Sequence, residues 1–254
     1  SIFVQVESID DAAKLCEELN DFIRTEIFDD YVELEFEKYC KTFFLAKKKN
    51  RYCGYLSWKE NELLDEPEFF VMGFETKKSN ETPYAKNFQE RILKMVANNT
   101  SEDLVTKEAK SKYFKLKEGL VDPNLIIKRS RLKRDLAEYI SIAGGVAGIF
   151  YHNEFIATGD LDKIKNGDSF IYYQVDNNSI VNYPKIFHVK GVKRRVAYIA
   201  SSSLDKVIDE FKPDWEKIAN AEIIKKITLI YSSMNWDLNN VIDDNKQKKL
   251  KEWW

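Results

Sequence analysis

Glu33, Glu35 and Glu37 alternate with Val32, Leu34 and Phe36. Residues two apart on an extended backbone project to one side, so the three carboxylates would share a face, close enough for one divalent ion or its water shell. A solvated strand face balanced by Lys38, Lys41 and the cations of 47–51 explains the same pattern without a metal. Lys48-Lys49-Asn50-Arg51-Tyr52 is a second constellation. Lys and Arg on a turn between strands can reach adjacent phosphates or minor-groove acceptors while Tyr52 anchors the next strand; an ordinary polar hairpin is the alternative. Lys128-Arg129-Ser130-Arg131-Leu132-Lys133-Arg134 is the densest of several basic runs, the others being Lys77-Lys78, 107–117 and Lys190–Arg195. Finally, Gln247, Leu250, Trp253 and Trp254 have a QxxLxxWW spacing at the end of a polar tail. A tail cannot bury two tryptophans itself, so this reads as a helical turn docking its apolar side in a partner's groove. A tail folded back on its own domain is the other reading.

The composition limits what these residues can belong to. The chain has 254 residues, 40 Lys+Arg against 42 Asp+Glu, and 44% hydrophobic residues, too apolar for a disordered chain and long enough for one large domain or two ordinary ones. Its near-zero net charge hides segregation: acidic residues concentrate in 7–37, 60–68 and 205–216, which leaves the basic runs free to form an electropositive surface for a polyanion. For any single run a solvated face suffices. Cys16, Cys40 and Cys53 form no CxxC pair, which excludes a disulfide framework and a four-cysteine zinc site. With only His152 and His188, a multi-histidine metal site or a His-based triad is not expected. Ala143-Gly144-Gly145-Val146-Ala147-Gly148 lacks the frame of a phosphate loop and reads as close helix packing through small residues. No apolar run reaches the roughly 20 residues of a membrane span, so no membrane partner and a cytoplasmic location are expected.

Several elements must position these groups. Residues 2–6 read as a short strand, and Ser8 or Asp10 caps a helix over about 11–24 with Ala12, Leu15, Leu19, Phe22 and Ile23 at helical spacing. Strands are expected at 31–37, 41–46, 52–58 and 69–76, a β-meander on a helix. Pro83 opens a helix to about 98 with Phe88, Ile92, Leu93 and Val96 as its buried stripe. Beyond residue 100 charged helices dominate, including a helical stretch over 136–142. The turn Asn166-Gly167-Asp168 leads to a strand at 169–175, and helices return over 203–231, interrupted at Pro213-Asp214. The expected fold class is α+β: a partial sheet layer over 1–78, a mainly helical part with a small β insert over 79–243, and a tail over 244–254. The sheet layer has few strands for its apolar content, as though another polypeptide completed it.

Taken in order, the motifs resemble the C-terminal part of a family B replicative DNA polymerase, of archaeal or T-even-like phage type. Ser1-Ile2-Phe3-Val4 is similar to the stretch after the paired aspartates of that family's YGDTDS motif. Lys48-Lys49-Asn50-Arg51-Tyr52 resembles its KKxRY motif, Gly73-Phe74-Glu75-Thr76-Lys77-Lys78-Ser79 its palm-to-thumb junction, Leu132–Tyr139 its thumb, and the QxxLxxWW tail its sliding-clamp hook. The resemblance implies a partial palm over 1–78, a thumb over 79–243 and a clamp-binding tail. It further implies that Lys48, Lys49, Arg51 and Tyr52 hold the primer–template duplex near the primer end, that Lys78 and Ser79 contact the DNA backbone, and that Lys128, Arg129, Arg131 and Arg134 grip duplex phosphates. Glu37, with Glu35, would be an outer carboxylate beside Mg²⁺ held mainly by a partner chain, the large polymerase subunit, that carries the aspartates. No catalytic residue would then lie on this chain. Ser1 would mark a subunit boundary, a cleavage point or a protein-splicing junction.

Two other functions stay open on the residues alone: a non-enzymatic nucleic-acid-binding module with a docking tail, and a self-contained metal-dependent phosphodiester enzyme built on the Glu33–Glu37 face.

Overall fold

The computed structural model describes residues 2–27, 32–157 and 162–243. By internal contacts they divide into two units, one formed by residues up to Gly73 with Lys94–Asn99, the other by Phe74–Leu93 with residues from Thr100 onward. The α+β class expected from the sequence is the one observed.

In the first unit, helix α1 (Ile9–Phe22) starts at Ser8, whose hydroxyl oxygen accepts the Asp11 N–H at 3.1 Å. That bond satisfies one of the orphan donors of the first turn. The helix is amphipathic, yet none of its residues is buried. Strands β1 (Lys38–Leu45), β2 (Tyr52–Lys59) and β3 (Glu62–Met72) form an antiparallel meander in that order. Glu60 and Asn61 both adopt positive φ between β2 and β3, the two-residue turn whose twist matches the flanking strands. β3 ends at Met72 because Gly73 turns the chain with φ +74.

Two expected strands are absent here. Residues 32–37 are extended but unpaired, because a side chain supplies the ladder bonds: the Leu34 N–H donates to Asn20 Oδ1 at 2.7 Å and Asn20 Nδ2 donates to the Leu34 carbonyl at 2.9 Å. The alternation nonetheless sorts sides, with Leu34 and Phe36 half-buried and Glu33, Glu35 and Glu37 exposed. Phe36 stacks on Trp58 with ring centroids 4.1 Å apart. Residues 2–6 also join no strand; Phe3 instead sets its ring against Phe43 and Tyr52, at 5.2 and 5.0 Å.

The second unit opens with most of helix α2 (Pro83–Ala97), followed by α3 (Glu102–Lys117). The predicted α2 stripe Phe88, Ile92, Leu93 and Val96 is buried. Strand β4 (Lys128–Arg131), helix α4 (Gly144–Tyr151), β5 (Ser169–Gln174), β6 (Ile186–Val189), β7 (Val192–Arg195) and β8 (Tyr198–Ser201) come next. They make a three-stranded antiparallel sheet, β4-β5-β8, and a separate hairpin, β6-β7. Helices α5 (Trp215–Ala219), α6 (Lys225–Met234) and α7 (Asn239–Ile242) complete it, α5 and α7 packing on α3.

The sequence under-reads this unit's β content, since strands of four residues such as Lys128–Arg131 are too short to show a period. The helical stretch expected over 136–142 is also corrected. Only Leu136–Glu138 forms a 3₁₀ turn, and the glycine-rich segment begins α4 rather than extending a helix before it. The small residues do serve close packing: a Cβ on Gly148 would lie 2.9 Å from the Ala200 backbone nitrogen. No helix among the described residues is long and apolar enough to cross a membrane.

Candidate nucleic-acid interface

The turn joining β1 to β2 is closed by the Ala46 N–H donating to the Arg51 carbonyl at 2.9 Å, with Asn50 at φ +58. Asn supplies that left-handed position at low steric cost. Lys48 and Lys49 are exposed at its tip and Arg51 is half-buried behind them. Gly73 seats the turn from below: a Cβ there would stand 1.9 Å from the Asn50 carbonyl oxygen. Two ammonium groups and a guanidinium are thus carried on a hairpin that is braced at its base, a geometry suited to consecutive phosphates.

Tyr52 begins β2 opposite Leu45 on one side and Met72 on the other. Its ring lies 5.6 Å from Phe43 and 5.9 Å from Phe70. Together with Phe3 these side chains form an apolar face beside the basic turn, and Phe3, Phe43, Leu45 and Met72 are all substantially exposed. The opposite face carries the buried Phe44 and Cys53. There Tyr55 accepts a hydrogen bond from Asn98 at 3.2 Å, and the Lys94 ammonium sits 5.3 Å from the Phe69 ring.

The carboxylate face does not form a cation site by itself. Glu33 receives Arg24 at 3.5 Å and Glu37 is paired with Lys38, leaving Glu35 without a cation among the described residues. Among those residues, too, no group of three His, Cys, Asp or Glu is placed to hold a metal ion. Glu33, Glu35 and Glu37 do not fit Mg²⁺ on their own.

In the second unit the expected basic residues separate into two kinds. Arg129, Arg131 and Arg134 are exposed. Arg131 Nε donates to the Gly167 carbonyl at 2.6 Å, and the Arg134 guanidinium lies 4.7 Å from the Tyr139 ring. At the β6-β7 turn, Lys190 Nζ donates to the Ala137 and Tyr139 carbonyls at 2.6 and 2.8 Å and so holds the segment after Arg134. Lys128 is different. Its Nζ stands 3.6 Å from Glu81 and 3.5 Å from Glu222, inside a network that sequence reading missed.

That network ties four segments together. Glu222, 3% exposed, accepts the Thr82 hydroxyl at 2.6 Å, and Thr82 in turn accepts the Ala85 N–H at 3.1 Å at the start of α2. Lys226 reaches Glu81 at 2.8 Å and also pairs with Glu75. Gln89 accepts the Glu75 N–H and donates to the Lys226 carbonyl, both at 2.9 Å. Burial works against charge at Lys128 and Lys226, but Glu222 and Glu81 hold the first above the ordinary lysine value, and Glu75 and Glu81 the second. Burial likewise opposes ionisation of Glu75, and hydrogen bonds from Lys226 and Lys78 override it, bringing its pKa down to about 2. Lys78, expected to meet DNA, is exposed while donating to Glu75 at 2.8 Å; Ser79 is exposed beside it. The segment Phe74–Lys78, assigned by sequence to the first part, packs with the second unit.

Of this network the sequence marks only the helix start at Pro83. His152 is buried and His188 is exposed on β6. Ser1 and the tail residues Gln247, Leu250, Trp253 and Trp254 lie outside the described residues. The family model for DNA polymerase family B matches residues 1–225. No curated protein matches the chain.

Proposed function

Because the chain belongs to DNA polymerase family B, we propose that it is the smaller part of a split DNA-directed DNA polymerase, completing the palm and gripping primer–template duplex during nucleotidyl transfer. The observation that carries this reading is the braced basic turn, with Lys48 and Lys49 exposed ahead of Arg51 in the matched region. In this role Lys48, Lys49 and Arg51 take phosphates near the primer end, and Tyr52 fixes the strand that carries them. Lys78 and Ser79 take the backbone further along, and Arg129, Arg131 and Arg134 hold duplex through phosphates without sequence preference. Lys128, engaged by Glu81 and Glu222, acts one step back by fixing the strand that carries Arg129 and Arg131.

The exposed apolar sheet face and the unburied apolar side of α1 support completion by a large polymerase subunit or fragment. Mg²⁺ would be held on the polypeptide that bears the paired aspartates, and no step on this chain is routed through it. Gln247, Leu250, Trp253 and Trp254 would dock on a ring-shaped sliding clamp.

The test is primer extension by this chain alone and after mixing with an upstream polymerase fragment that ends in the paired aspartates. Activity only in the mixture is expected, and Lys49→Ala should lower it. Extension by this chain alone would overturn the split reading. Duplex binding without extension by an associated mixture would favour a binding module. Removing residues 245–254 should leave distributive extension unchanged and abolish the gain in processivity from a clamp.

A further inference from the structure

A groove of about 310 Å³ lies in the second unit between the start of α4 and the β6-β7 hairpin, at the lower end of the about 300–1,000 Å³ typical of small-ligand sites. Ile142, Ala147, Phe187 and Ala197 give it apolar walls, with Tyr198 at one side. Arg194 and Arg195 border the same groove, and as successive residues of β7 they send their side chains to opposite faces of the hairpin. Arg194 is the cross-strand partner of Phe187, so both side chains leave the hairpin on one side.

Arg195 is held without a counter-charge among the described residues. Arg195 Nε donates to Asn177 Oδ1 at 2.7 Å and its NH2 to Asn178 Oδ1 at 3.0 Å; both acceptors are uncharged amides. Asn177 is itself buried and braced, donating to the Lys185 and Val196 carbonyls at 2.9 and 3.0 Å. Arg194 Nε is buried with no hydrogen-bond partner among the described residues. A buried charged donor left unmade is costly, and natural structures place a ligand or water there. The planar fork of a guanidinium matches a phosphate oxygen pair, and apolar walls beside it match a flat ring.

We propose that this groove binds a nucleoside phosphate, its phosphate on Arg194 and its base beside Phe187 and Tyr198. Inorganic phosphate would leave the walls bare. The choice of a nucleotide over another ring-bearing anion rests on the polymerase reading. The source is either a free nucleotide or an unpaired terminal nucleotide of a DNA strand.

Calorimetric titration of the full chain with dAMP, with a short single-stranded oligonucleotide and with inorganic phosphate tests the proposal. Arg194→Gln removes the orphan donor, and Ala197→Phe, at an exposed position, fills the groove without entering the core. Saturable dAMP binding is expected, about 10- to 100-fold weaker in Arg194→Gln and lost in Ala197→Phe, with phosphate at least about tenfold weaker than dAMP. If the oligonucleotide alone binds, and Arg194→Gln weakens it, the groove takes a strand end. If neither ligand binds, if both variants bind like wild type, or if phosphate matches dAMP, the proposal is overturned. Duplex binding measured on the same protein with Lys49→Ala reports on the polymerase reading separately.

Discussion

Lys226→Met gives a sharp test of the buried ion network. Lys226 is 9% exposed, stands 2.8 Å from Glu81 and also pairs with Glu75. At that separation the Coulomb attraction of one such pair is about 6 kcal/mol at an effective dielectric of about 20. Desolvation of the ammonium offsets much of it, so the attraction is not the net worth of the pair. The cost of the substitution comes instead from stranding Glu75 and Glu81, with Lys78 and the more exposed Lys128 as their remaining cations. Truncating one partner of a buried pair costs about 3–5 kcal/mol. Methionine restores the packing of the lysine stem, which sets the expectation near the low end, about 3 kcal/mol at pH 7.

The pH dependence originates in Glu75. Its folded-state pKa of about 2 is below the unfolded value, so its stabilisation is fully present above about pH 4.5 and is lost as pH falls towards 2. After allowance for solvent screening of a partly exposed side chain this amounts to roughly 1–2 kcal/mol. In Lys226→Met the main counterweight to burial is gone, so Glu75 protonates at higher pH and relieves the repulsion. The gap between wild type and variant should therefore narrow from pH 7 to pH 4. Urea unfolding at both pH values measures it, and Glu81→Gln added to Lys226→Met should restore part of the loss. A loss below about 1 kcal/mol at pH 7, or a gap that widens on acidification, would refute the reasoning.

Gly73→Ala should cost about 2–3 kcal/mol in the first unit, because φ is +74 and the new Cβ meets the Asn50 carbonyl; an unchanged urea midpoint would count against it. Lys48→Ala and Lys49→Ala should each reduce the slope of log K against log salt for duplex binding by about 1, equally across sequences, as fluorescence anisotropy would show. Burial pushes the Cys53 thiol up to about 12 and, against the pull of Lys38, the Cys40 thiol up to about 11. At pH 8 iodoacetamide should therefore label Cys16 in the folded chain well before either; mass mapping that finds Cys53 modified first would contradict this. Gly148→Ala should destabilise the second unit by about 1–3 kcal/mol through overpacking against Ala200, read as a lowered thermal midpoint.

What the sequence determined is what local chemistry decides. Ser8 as a cap and the spacing from Ala12 to Phe22 are enough for α1, since capping and periodicity act within a few residues. The stripe of α2 and the turn ahead of Ser169 were legible for the same reason. The motif Lys48–Tyr52 and its place on a hairpin were legible too, because a polar run between two apolar alternations permits little else. Alternation over 32–37 gave the right sides but the wrong pairing. Which group completes a ladder is a tertiary choice, and here Asn20 made it.

Tertiary structure alone decided which cations are available. Lys128 and Arg129 are neighbours in the chain, yet successive residues on a strand face opposite ways, and the carboxylates that meet Lys128 come from the start of α2 and from the segment before α6. Glu81 and Glu222 are too distant in sequence for any local pattern to link them with Lys128. The orphan Nε of Arg194 is of the same kind: a cluster of like charges shows in the sequence, but that this nitrogen finds no hydrogen-bond partner among the described residues is a property of the packed fold.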